Sequence, residues 1–211
     1  MNKKPSLLII GNSNAGKSSI TKLLLPNPKV FKGRIGKSPG STLLIKPITQ
    51  NNLAYKIVDL PGFGYTKHSS HRREEHIKKQ IVIHIEKHYE DYFFGLVVLN
   101  ILRIEDELNK YFIKDKRTIP LSFELIYFLN EYKIPILIII NKIDKVSIFD
   151  KKKIINLFLR TAKEYNINLI PISKYDYENS VEIPYLEFSA LKRINLKELK
   201  LAIQHNFEKN A

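Results

Sequence analysis

Residues 11–18 read GNSNAGKS, a full G-x-x-x-x-G-K-S phosphate loop between the apolar run Ser6–Ile10 and a helix-compatible stretch that ends at Leu25. Such a loop points backbone N–H groups at phosphate oxygens, and the helix after it adds its positive end. Lys17 is placed to reach the β- and γ-phosphates, and Ser18 to offer a hydroxyl to Mg²⁺. The stretch predicts a nucleoside triphosphate site, with a chance turn as the alternative. Its residues are Gly11, Asn12, Ser13, Asn14, Ala15, Gly16, Lys17 and Ser18.

The length of 211 residues suits one α/β domain over residues 1–211, with room for a substantial core. The longest apolar stretch, Ile134–Ile140, is too short to cross a bilayer, and the apolar run near the N-terminus is too short for a signal peptide. The chain has no cysteine, so neither disulfides nor thiolate metal sites are expected. We therefore expect a cytoplasmic protein.

The chain carries 35 Lys and Arg against 21 Asp and Glu, which gives a net charge of +14. This excess attracts polyanions such as RNA, DNA or an anionic membrane, and we favour salt-sensitive association with RNA. The basic residues are spread along the chain. A generally basic surface without a specific partner is therefore the alternative.

Strand-like and helix-like segments alternate, which is typical of a three-layer α/β fold with a mostly parallel sheet and helices on both faces. After the first strand, the pattern predicts strands at 43–49, 55–59, 94–100, 136–141, 169–172 and 185–189, and helices at 17–25, 72–92, 121–132, 149–165 and 196–207. The Asn51-Asn52 pair predicts a tight hairpin and hence one antiparallel strand at a sheet edge. Asn195 and Glu198 have the spacing of a capping box at the start of the last helix.

Two further motifs follow predicted strands, at the edge of the sheet where such folds bind ligands. In the first, a carboxylate can hold Mg²⁺ through water and a glycine N–H can approach a γ-phosphate, although an ordinary turn is the alternative. In the second, an aspartate can accept hydrogen bonds from N1–H and the exocyclic amine of guanine, a donor pair that adenine lacks. The second motif therefore predicts GTP or GDP as the ligand. The residues are Asp59, Leu60, Pro61 and Gly62 in the first motif, and Asn141, Lys142, Ile143 and Asp144 in the second.

The order and spacing of these three motifs resemble translation-factor-class small GTPases over nearly the whole chain. Residues 38–42 read SPGST and residues 59–65 read DLPGFGY, which resemble the switch I and D-L-P-G-[FY]-G-[FY] signatures of the EngB (YihA/YsxC-like) GTPases. The resemblance implies a P-loop GTPase fold, a single EngB-type G domain and hydrolysis of GTP to GDP and phosphate as a molecular switch. It also implies a monomer that acts in assembly of the large ribosomal subunit, linked in some members to cell division and septation.

The resemblance extends the predicted nucleotide site to switch I. It implies that Thr42 joins Ser18 and Asp59 around Mg²⁺ and senses the γ-phosphate. The switch I residues assigned to the site are Ser38, Pro39, Gly40, Ser41 and Thr42.

A fifth motif of this family places a backbone N–H near guanine O6, and two segments compete for that role. Phe188, Ser189 and Ala190 precede the last predicted helix, as the family motif does. Residues 171–174 lack both the alanine and that helix, so they would form an inserted strand or loop. We favour the Phe188–Ala190 segment.

Hydrolysis is expected to be slow without a partner. Phe63 stands where Ras-like enzymes carry a water-orienting glutamine, and an aromatic ring cannot orient water in that way. A partner that orders switch I (about residues 30–42) and switch II (about 60–73) would accelerate the reaction. Asn14 resembles the asparagine that coordinates K⁺ in potassium-activated GTPases, and a role in loop structure alone is the alternative. The predicted catalytic residues are Lys17, Thr42, Gly62 and Asn14.

Some positions depart from the family pattern and indicate a divergent or archaeal member. Asn141 stands where members commonly carry threonine. Residues 100–103 read NILR where members commonly have an aspartate shortly before an arginine. Segments 103–120 and 173–184 look like insertions.

The sequence has five histidines between residues 68 and 88, and His84 and His88 have the i,i+4 spacing of helical metal ligands. We favour exposed histidines, because no third ligand lies at a suitable spacing and an isoleucine face of this helix points inward. The basic residues beside switch II are candidates for RNA contact, with a solvated loop as the alternative. The inward residues are Ile77, Ile81 and Ile85, and the RNA candidates are His68, His71, Arg72 and Arg73.

Two kinds of partner remain open for the predicted switch. The basic charge favours the large ribosomal subunit and its rRNA over a protein or membrane surface. A third possibility, an ATP-using kinase or ATPase, requires the motif at residues 141–144 to be accidental.

Overall fold

A computed structural model of the chain describes residues 4–31, 45, 47–62, 71–110 and 119–210, and within these residues six parallel strands form one sheet. The strands lie in the order β2-β1-β3-β4-β6-β5. They are β1 (Ser6–Gly11), β2 (Lys56–Asp59), β3 (Tyr92–Asn100), β4 (Ile136–Asn141), β5 (Leu169–Pro171) and β6 (Ile183–Glu187). The α-helices are α1 (Lys17–Leu24), α2 (His71–His88), α3 (Ile101–Leu108), α4 (Leu121–Glu131), α5 (Ile148–Glu164) and α6 (Leu196–Lys209). Short 3₁₀ turns lie at Pro28–Val30, Tyr89–Asp91, Ile143–Lys145 and Ile172–Lys174.

The central strands are apolar along their length because helices cover both faces of the sheet. Successive side chains of β1 point to opposite faces. Leu8 and Ile10 belong to the core that α2, α3, α4 and α5 cover, whereas Leu7 and Ile9 belong to the core under α1 and α6. All four side chains are fully buried. The predicted three-layer α/β architecture is confirmed.

The predicted antiparallel edge strand is not found in the part of the chain that the structure describes. Ile48 and Ile57 form a single antiparallel bridge, in which the two backbone N–H groups donate to the opposite carbonyls at 2.7 and 3.0 Å. The tight turn at residues 51–52 is present, since the N–H of Leu53 donates to the carbonyl of Gln50 at 3.1 Å. Residues 43, 44 and 46 lie outside the described ranges. Among the residues that the structure describes, the edge of the sheet beside β2 is therefore occupied by one bridge rather than by a strand.

Helix α3 is an element that the sequence analysis missed by treating residues 103–120 as an insertion. It begins where β3 ends, because the side chain of Asn100 accepts a hydrogen bond from the N–H of Leu102 at 3.2 Å and so caps the helix. Ile101, Ile104 and Leu108 are buried and face the core. The segment thus starts as a packed helix that contacts α5.

The predicted capping box of α6 is wrong. Asn195 occupies the position before the helix, but its backbone is left-handed, with φ of 60°, and its side chain makes no capping bond. Its amide donates instead to the carbonyl of Glu187 at 2.8 Å. The tight reversal after β6, where Ser189 and Ile194 form an antiparallel bridge, requires a residue that tolerates this conformation, as asparagine does.

Other bounds differ by a few residues. Helix α2 ends at His88 rather than at residue 92 because the 3₁₀ turn Tyr89–Asp91 follows it, so β3 begins two residues earlier than predicted. Strand β6 begins at Ile183 and ends at Glu187, not at residues 185 and 189. In the described ranges, no helix combines the length and apolar character needed to cross a membrane.

Candidate functional site

The phosphate loop leaves β1 through Gly11 and enters α1 through Gly16. Both glycines have positive φ, of 147° and 101°. A Cβ on Gly11 would lie 2.1 Å from the carbonyl oxygen of Val98, and one on Gly16 would lie 2.2 Å from Nδ2 of Asn141. Glycine is therefore required at both ends of the loop by conformation and by space.

Lys17 lies buried under the loop. Its Nζ donates to the carbonyl oxygens of Gly11 at 2.9 Å and Asn12 at 2.8 Å. Burial lowers the pKa of Lys17 to about 8, although the nearby carboxylate of Asp59 opposes this shift. The ammonium can move its hydrogen bonds from these carbonyls to phosphate oxygens, whose negative charge would raise its pKa again.

A hydroxyl and a carboxylate meet beside Lys17. Ser18 Oγ donates to Asp59 Oδ2 at 3.1 Å, and Asp59 is only 3% exposed. Strand pairing sets this contact, since Asp59 lies opposite Ile9 in the β1–β2 register and the N–H of Leu60 donates to the Ile9 carbonyl at 2.9 Å. Hydroxyl and carboxylate oxygens are the ligands that Mg²⁺ prefers, so these two side chains fit such an ion.

Gly62 packs directly against the loop. A Cβ at this position would lie 2.8 Å from Lys17 Nζ and 2.7 Å from the Cα of Ser13. The backbone at Gly62 therefore lies so close to the phosphate loop that no side chain fits between them. A movement of the Gly62 backbone toward the loop would therefore displace Ser13 or Lys17.

Asn141 joins the phosphate loop to the other side of the site. Its Nδ2 donates to the carbonyl of Ala15 at 2.8 Å, and its Oδ1 accepts from the N–H of Ala190 at 3.0 Å. The side chain is 1% exposed. Lys142, in the left-handed conformation with φ of 68°, donates from Nζ to the carbonyl of Asn14 at 2.6 Å. Residues 141 and 142 thus hold the loop at two points.

Asp144 is positioned by the segment after β6. Ser189 Oγ donates to Asp144 Oδ1 at 2.5 Å and accepts from the N–H of Lys192 at 3.0 Å. The N–H of Phe188 donates to the Ile140 carbonyl at 2.8 Å, which brings this segment to the end of β4. Of the two segments that competed for the fifth motif, Phe188–Ala190 lies beside Asp144. Residues 169–171 form β5 at the outer edge of the sheet, followed by a 3₁₀ turn.

Asn14 is the one exposed side chain among residues 11–17 of the phosphate loop. Its backbone is left-handed, with φ of 60°, and its carbonyl is held by Lys142. The side-chain amide is therefore accessible at the rim of the loop, while the main chain supports the loop geometry. Both roles considered for Asn14 are compatible with this position.

Glu107 is a neighbour of the site that the sequence analysis missed. Its Oε2 accepts from Asn12 Nδ2 at 3.0 Å, and its Oε1 accepts from the N–H of Ser122, in the first turn of α4, at 2.8 Å. The apolar spacing of Ile101, Ile104 and Leu108 was the available signal for helix α3. No local pattern indicated that Glu107 would reach the phosphate loop.

Several predicted site residues lie outside the described ranges: Ser38, Pro39, Gly40, Ser41, Thr42, Phe63 and His68. His71, Arg72 and Arg73 lie in the first turn of α2. The predicted exposure of the histidine pair is wrong for His84, which is half-buried, with its ring centroid 4.7 Å from that of His88 and 6.4 Å from that of Tyr92. Within the described residues, no three His, Asp or Glu side chains are grouped to hold a metal ion.

Comparison with known proteins decides the family. The model of the family described as 50S ribosome-binding GTPase matches residues 6–142. A protein from Pyrococcus horikoshii, described as a probable GTP-binding protein EngB, is 30% identical over 169 residues, which cover 80% of this chain and 72% of that protein. The chain belongs to the EngB family. An EngB protein from Methanococcus aeolicus is 33% identical over 153 residues, 72% of this chain and 64% of the relative.

A solved EngB structure has the same fold. The crystal structure of a probable GTP-binding protein EngB matches with a TM-score of 0.72 at 25% identity, covering 97% of this chain and 99% of that one. The predicted P-loop GTPase fold is confirmed. Against three archaeal EngB relatives, however, the chain spans 60 to 64% of their length.

Proposed function

We propose that this EngB protein binds GTP with Mg²⁺ and hydrolyses it to GDP and phosphate as a molecular switch. One observation carries the proposal: Asn141 bonds both to Ala15 in the phosphate loop and to Ala190, next to the serine that holds Asp144. A phosphate-binding loop and a guanine-selecting carboxylate are thereby fixed at a constant separation. A guanine mononucleotide could then bind the loop through its phosphates and Asp144 through its base at the same time.

At the phosphate end, the loop N–H groups and Lys17 would bind the β- and γ-phosphates. The buried ammonium is suited to this role because its attraction to a phosphate offsets the free-energy cost of removing its charge from water. Ser18 and Asp59, with Thr42 from switch I, would hold Mg²⁺. When bound, the ion neutralises phosphate charge and orients the oxygens for hydrolysis.

At the guanine end of the site, Asp144 would accept hydrogen bonds from N1–H and the exocyclic amine of guanine. The Phe188–Ala190 segment would place a backbone N–H near guanine O6. The 2.5 Å bond from Ser189 fixes the carboxylate, so an adenine ring would leave it without its donors. This selectivity argues against the ATP-using alternative.

Switching would depend on Gly62. Its backbone lies against Lys17 and Ser13, so a γ-phosphate that bonds to Lys17 also meets the Gly62 N–H and draws switch II toward the loop. Intrinsic hydrolysis would be slow, since Phe63 cannot orient water. A partner that orders the switches would supply that function.

Asn14 would bind K⁺ beside the phosphates. Support comes from its exposed amide at the rim of the loop. Hydrolysis should therefore run faster in K⁺ than in Na⁺ buffer, and Asn14→Ala should remove the difference. Equal rates of the unmodified protein in the two buffers would leave Asn14 with a role in loop structure.

The test of the nucleotide assignment compares binding and hydrolysis of GTP, ATP and XTP. Asp144→Asn should lose GTP and gain XTP, because an amide can donate to the C2 carbonyl of xanthine where the carboxylate accepted from the C2 amine of guanine. Asp106→Asn, an exposed residue on α3, is the matched control. Preferential binding of ATP by the unmodified protein would overturn the proposal.

We also propose that the switch acts on the large ribosomal subunit and its rRNA during assembly. The description of the family as ribosome-binding and the net charge of +14 support this role. Co-sedimentation with cognate subunits should be stronger with a non-hydrolysable GTP analogue than with GDP, and should weaken with salt. Absence of subunit binding in every nucleotide state would favour a protein or membrane partner. A link to cell division and septation, a cytoplasmic location, a monomeric state and a single G domain stay predictions.

A further inference from the structure

Two loops at the base end of the site, the first taken together with the first turn of α5, expose large apolar side chains. Ile148 and Phe149, at the start of α5, are 75% and 78% exposed, and Leu191, directly after Ala190, is 68% exposed. These three side chains lie outside the buried core, and polar side chains hold the backbone of both loops. Ser147 caps α5 by accepting from the N–H of Asp150 at 3.0 Å, and Ser189 holds the other loop.

The two loops are neighbours in space. Asp144 and Ser189 are 2.5 Å apart, the N–H of Ile143 donates to the Phe188 carbonyl at 3.3 Å, and Lys151 pairs with Glu187 at 2.6 Å. The exposed side chains on both loops therefore border one region. We call it the guanine-end surface, made of Lys145, Ile148, Phe149, Lys152, Leu191, Lys192 and Arg193.

The guanine-end surface is basic. Residues 142–153 and 187–200 together carry nine Lys and Arg against four Asp and Glu. Three of these four acids are engaged locally: Asp144 with Ser189, Asp150 with Ser147 at 2.7 Å, and Glu187 with Lys151. Lys152, Lys192 and Arg193 are exposed. Lys145, Lys151 and Lys153 form ion pairs with Asp144, Glu187 and Glu105. The surface thus combines exposed apolar side chains with an excess of positive charge.

We propose that the guanine-end surface binds single-stranded RNA in both nucleotide states. Phe149 stacks on an unpaired base, and Lys152, Lys192 and Arg193 contact phosphates. An exposed aromatic ring beside basic side chains is the combination that single-stranded nucleic acid requires, since stacking tolerates any base and the backbone needs cations. This inference deepens the proposed ribosomal role and rests on it.

Independence from the nucleotide state follows from the position of the surface. Its loops flank Asp144, the carboxylate that would bind guanine, and guanine is identical in GTP and GDP. A γ-phosphate would instead act on residues 38–42 and 59–62. A contact that is the same in two states cannot shift the equilibrium between them. The guanine-end surface would therefore bind RNA in both the GTP and the GDP state, while the conformation of the switch segments changes with the nucleotide.

The experiment measures anisotropy of fluorescein-labelled oligo(A) RNA with the full chain, loaded with GDP or a non-hydrolysable GTP analogue, over a salt series. Phe149→Ala should weaken binding by about tenfold or more in both states. Lys152→Ala and Lys192→Ala should each reduce the slope of log affinity against log salt by about 0.7. Leu201→Ala, which truncates a side chain that is 54% exposed on α6, is the matched control and should bind like the unmodified protein.

The outcomes separate this inference from the proposed function. Labelled GDP should bind all variants equally, which also shows that they are folded. RNA affinity unchanged in the Phe149 and lysine variants would overturn the surface assignment while GTP binding stands. RNA binding seen only with the GTP analogue would overturn its independence of the nucleotide state. Binding to vesicles of anionic phospholipid, without binding to oligo(A), would replace RNA with a membrane.

Discussion

Glu107 accepts a hydrogen bond from the side-chain amide of Asn12 at 3.0 Å, across 95 positions of sequence. Its second carboxylate oxygen accepts from the first turn of α4. One side chain of α3 thus connects the phosphate loop to two helices on the same face of the sheet. We therefore expect movement of α3 or α4 to be transmitted to Asn12 in the phosphate loop.

Glu107→Ala should leave Asn12 and the Ser122 N–H without their protein acceptor. We expect a loss of about 1–3 kcal/mol in the free energy of unfolding and several-fold faster release of GDP, because the loop loses its support. Urea denaturation and stopped-flow release of fluorescent GDP measure the two effects. Asp106→Ala, on the same helix but exposed and weakly paired with Arg103 at 3.9 Å, should change neither. Unaltered GDP release in the Glu107 variant would limit this residue to a structural role.

Asn141→Ala removes the donor to Ala15 and the acceptor for Ala190 at a buried position. Each stranded group costs about 1–3 kcal/mol, and nucleotide affinity should fall because both ends of the site lose their link. Asn206→Ala is the control, since Asn206 is also buried and bonds only locally to the Ala202 carbonyl at 2.9 Å. It should lower stability with little change in nucleotide affinity. Calorimetric titration with GDP and thermal denaturation separate the two variants.

Asn141→Thr tests the residue that relatives commonly carry. A threonine hydroxyl can donate to one partner and accept from the other, but it is shorter than the amide. We expect intermediate stability and partly retained GDP affinity, measured in the same titrations. GDP affinity as low as that of the alanine variant would mean that the spacing of Ala15 and Ala190 in this chain requires the longer asparagine side chain.

Gly62→Ala should impair the response to the γ-phosphate. The added Cβ would lie 2.8 Å from Lys17 Nζ and 2.7 Å from the Ser13 Cα, so the backbone after Asp59 must withdraw from the loop. GTP affinity should fall more than GDP affinity, and hydrolysis should slow. Gly95→Ala is the control, because its Cβ would lie no closer than 3.3 Å to any neighbour: Ile136 Cγ2 at 3.3 Å, Ile134 Cγ2 at 3.5 Å and the Pro135 carbonyl oxygen at 3.7 Å. Equal loss of GTP and GDP affinity would mean that Gly62 supports the loop without sensing the third phosphate.

Lys17 should make nucleotide binding depend on pH. Its pKa is lowered to about 8 by burial in the free protein, and phosphate contacts would raise it again. Binding should therefore take up a proton above about pH 8, and affinity should decline by up to tenfold per pH unit there. Calorimetry at about pH 7 and pH 9, in buffers of different ionisation enthalpy, detects this proton uptake. A flat profile would mean that the ammonium keeps its charge in the empty site.

The same shift has a defined sign for stability. Between about pH 8 and 10.5 the unfolded chain holds the Lys17 proton and the folded chain does not, so the free energy of unfolding of the nucleotide-free protein should rise with pH. Below about pH 8 the lysine is charged in both states, and the cost of burying it is fully present. Saturation with GDP should remove this dependence.

Local patterns predicted the six strands of the parallel sheet and most helices, because residue types at fixed spacing specify them, but they also predicted an edge strand at 43–49 that the described residues do not show. The roles of the phosphate loop and the 141–144 motif in nucleotide binding stay predictions. The contacts that assemble these motifs could not be predicted from local sequence. Asn141 meets Ala15 across 126 positions, and Glu107 meets Asn12 from a helix whose charged end resembles a loop. The capping box failed for a more local reason: the left-handed turn at Asn195 directs its amide to the carbonyl of Glu187, eight residues earlier, rather than to its own helix.

Burial of the Lys17 ammonium is offset only in part by the nearby Asp59 carboxylate until a further anion binds, so a bound nucleotide would act as a component of the folded interior. Occupancy at a hundred times the dissociation constant adds about 2.7 kcal/mol to the stability of the folded state. Storage life, resistance to proteases and melting temperature are then properties of the protein together with its nucleotide. Protein from which the nucleotide has been removed should therefore unfold more readily and be degraded faster than the nucleotide-bound protein.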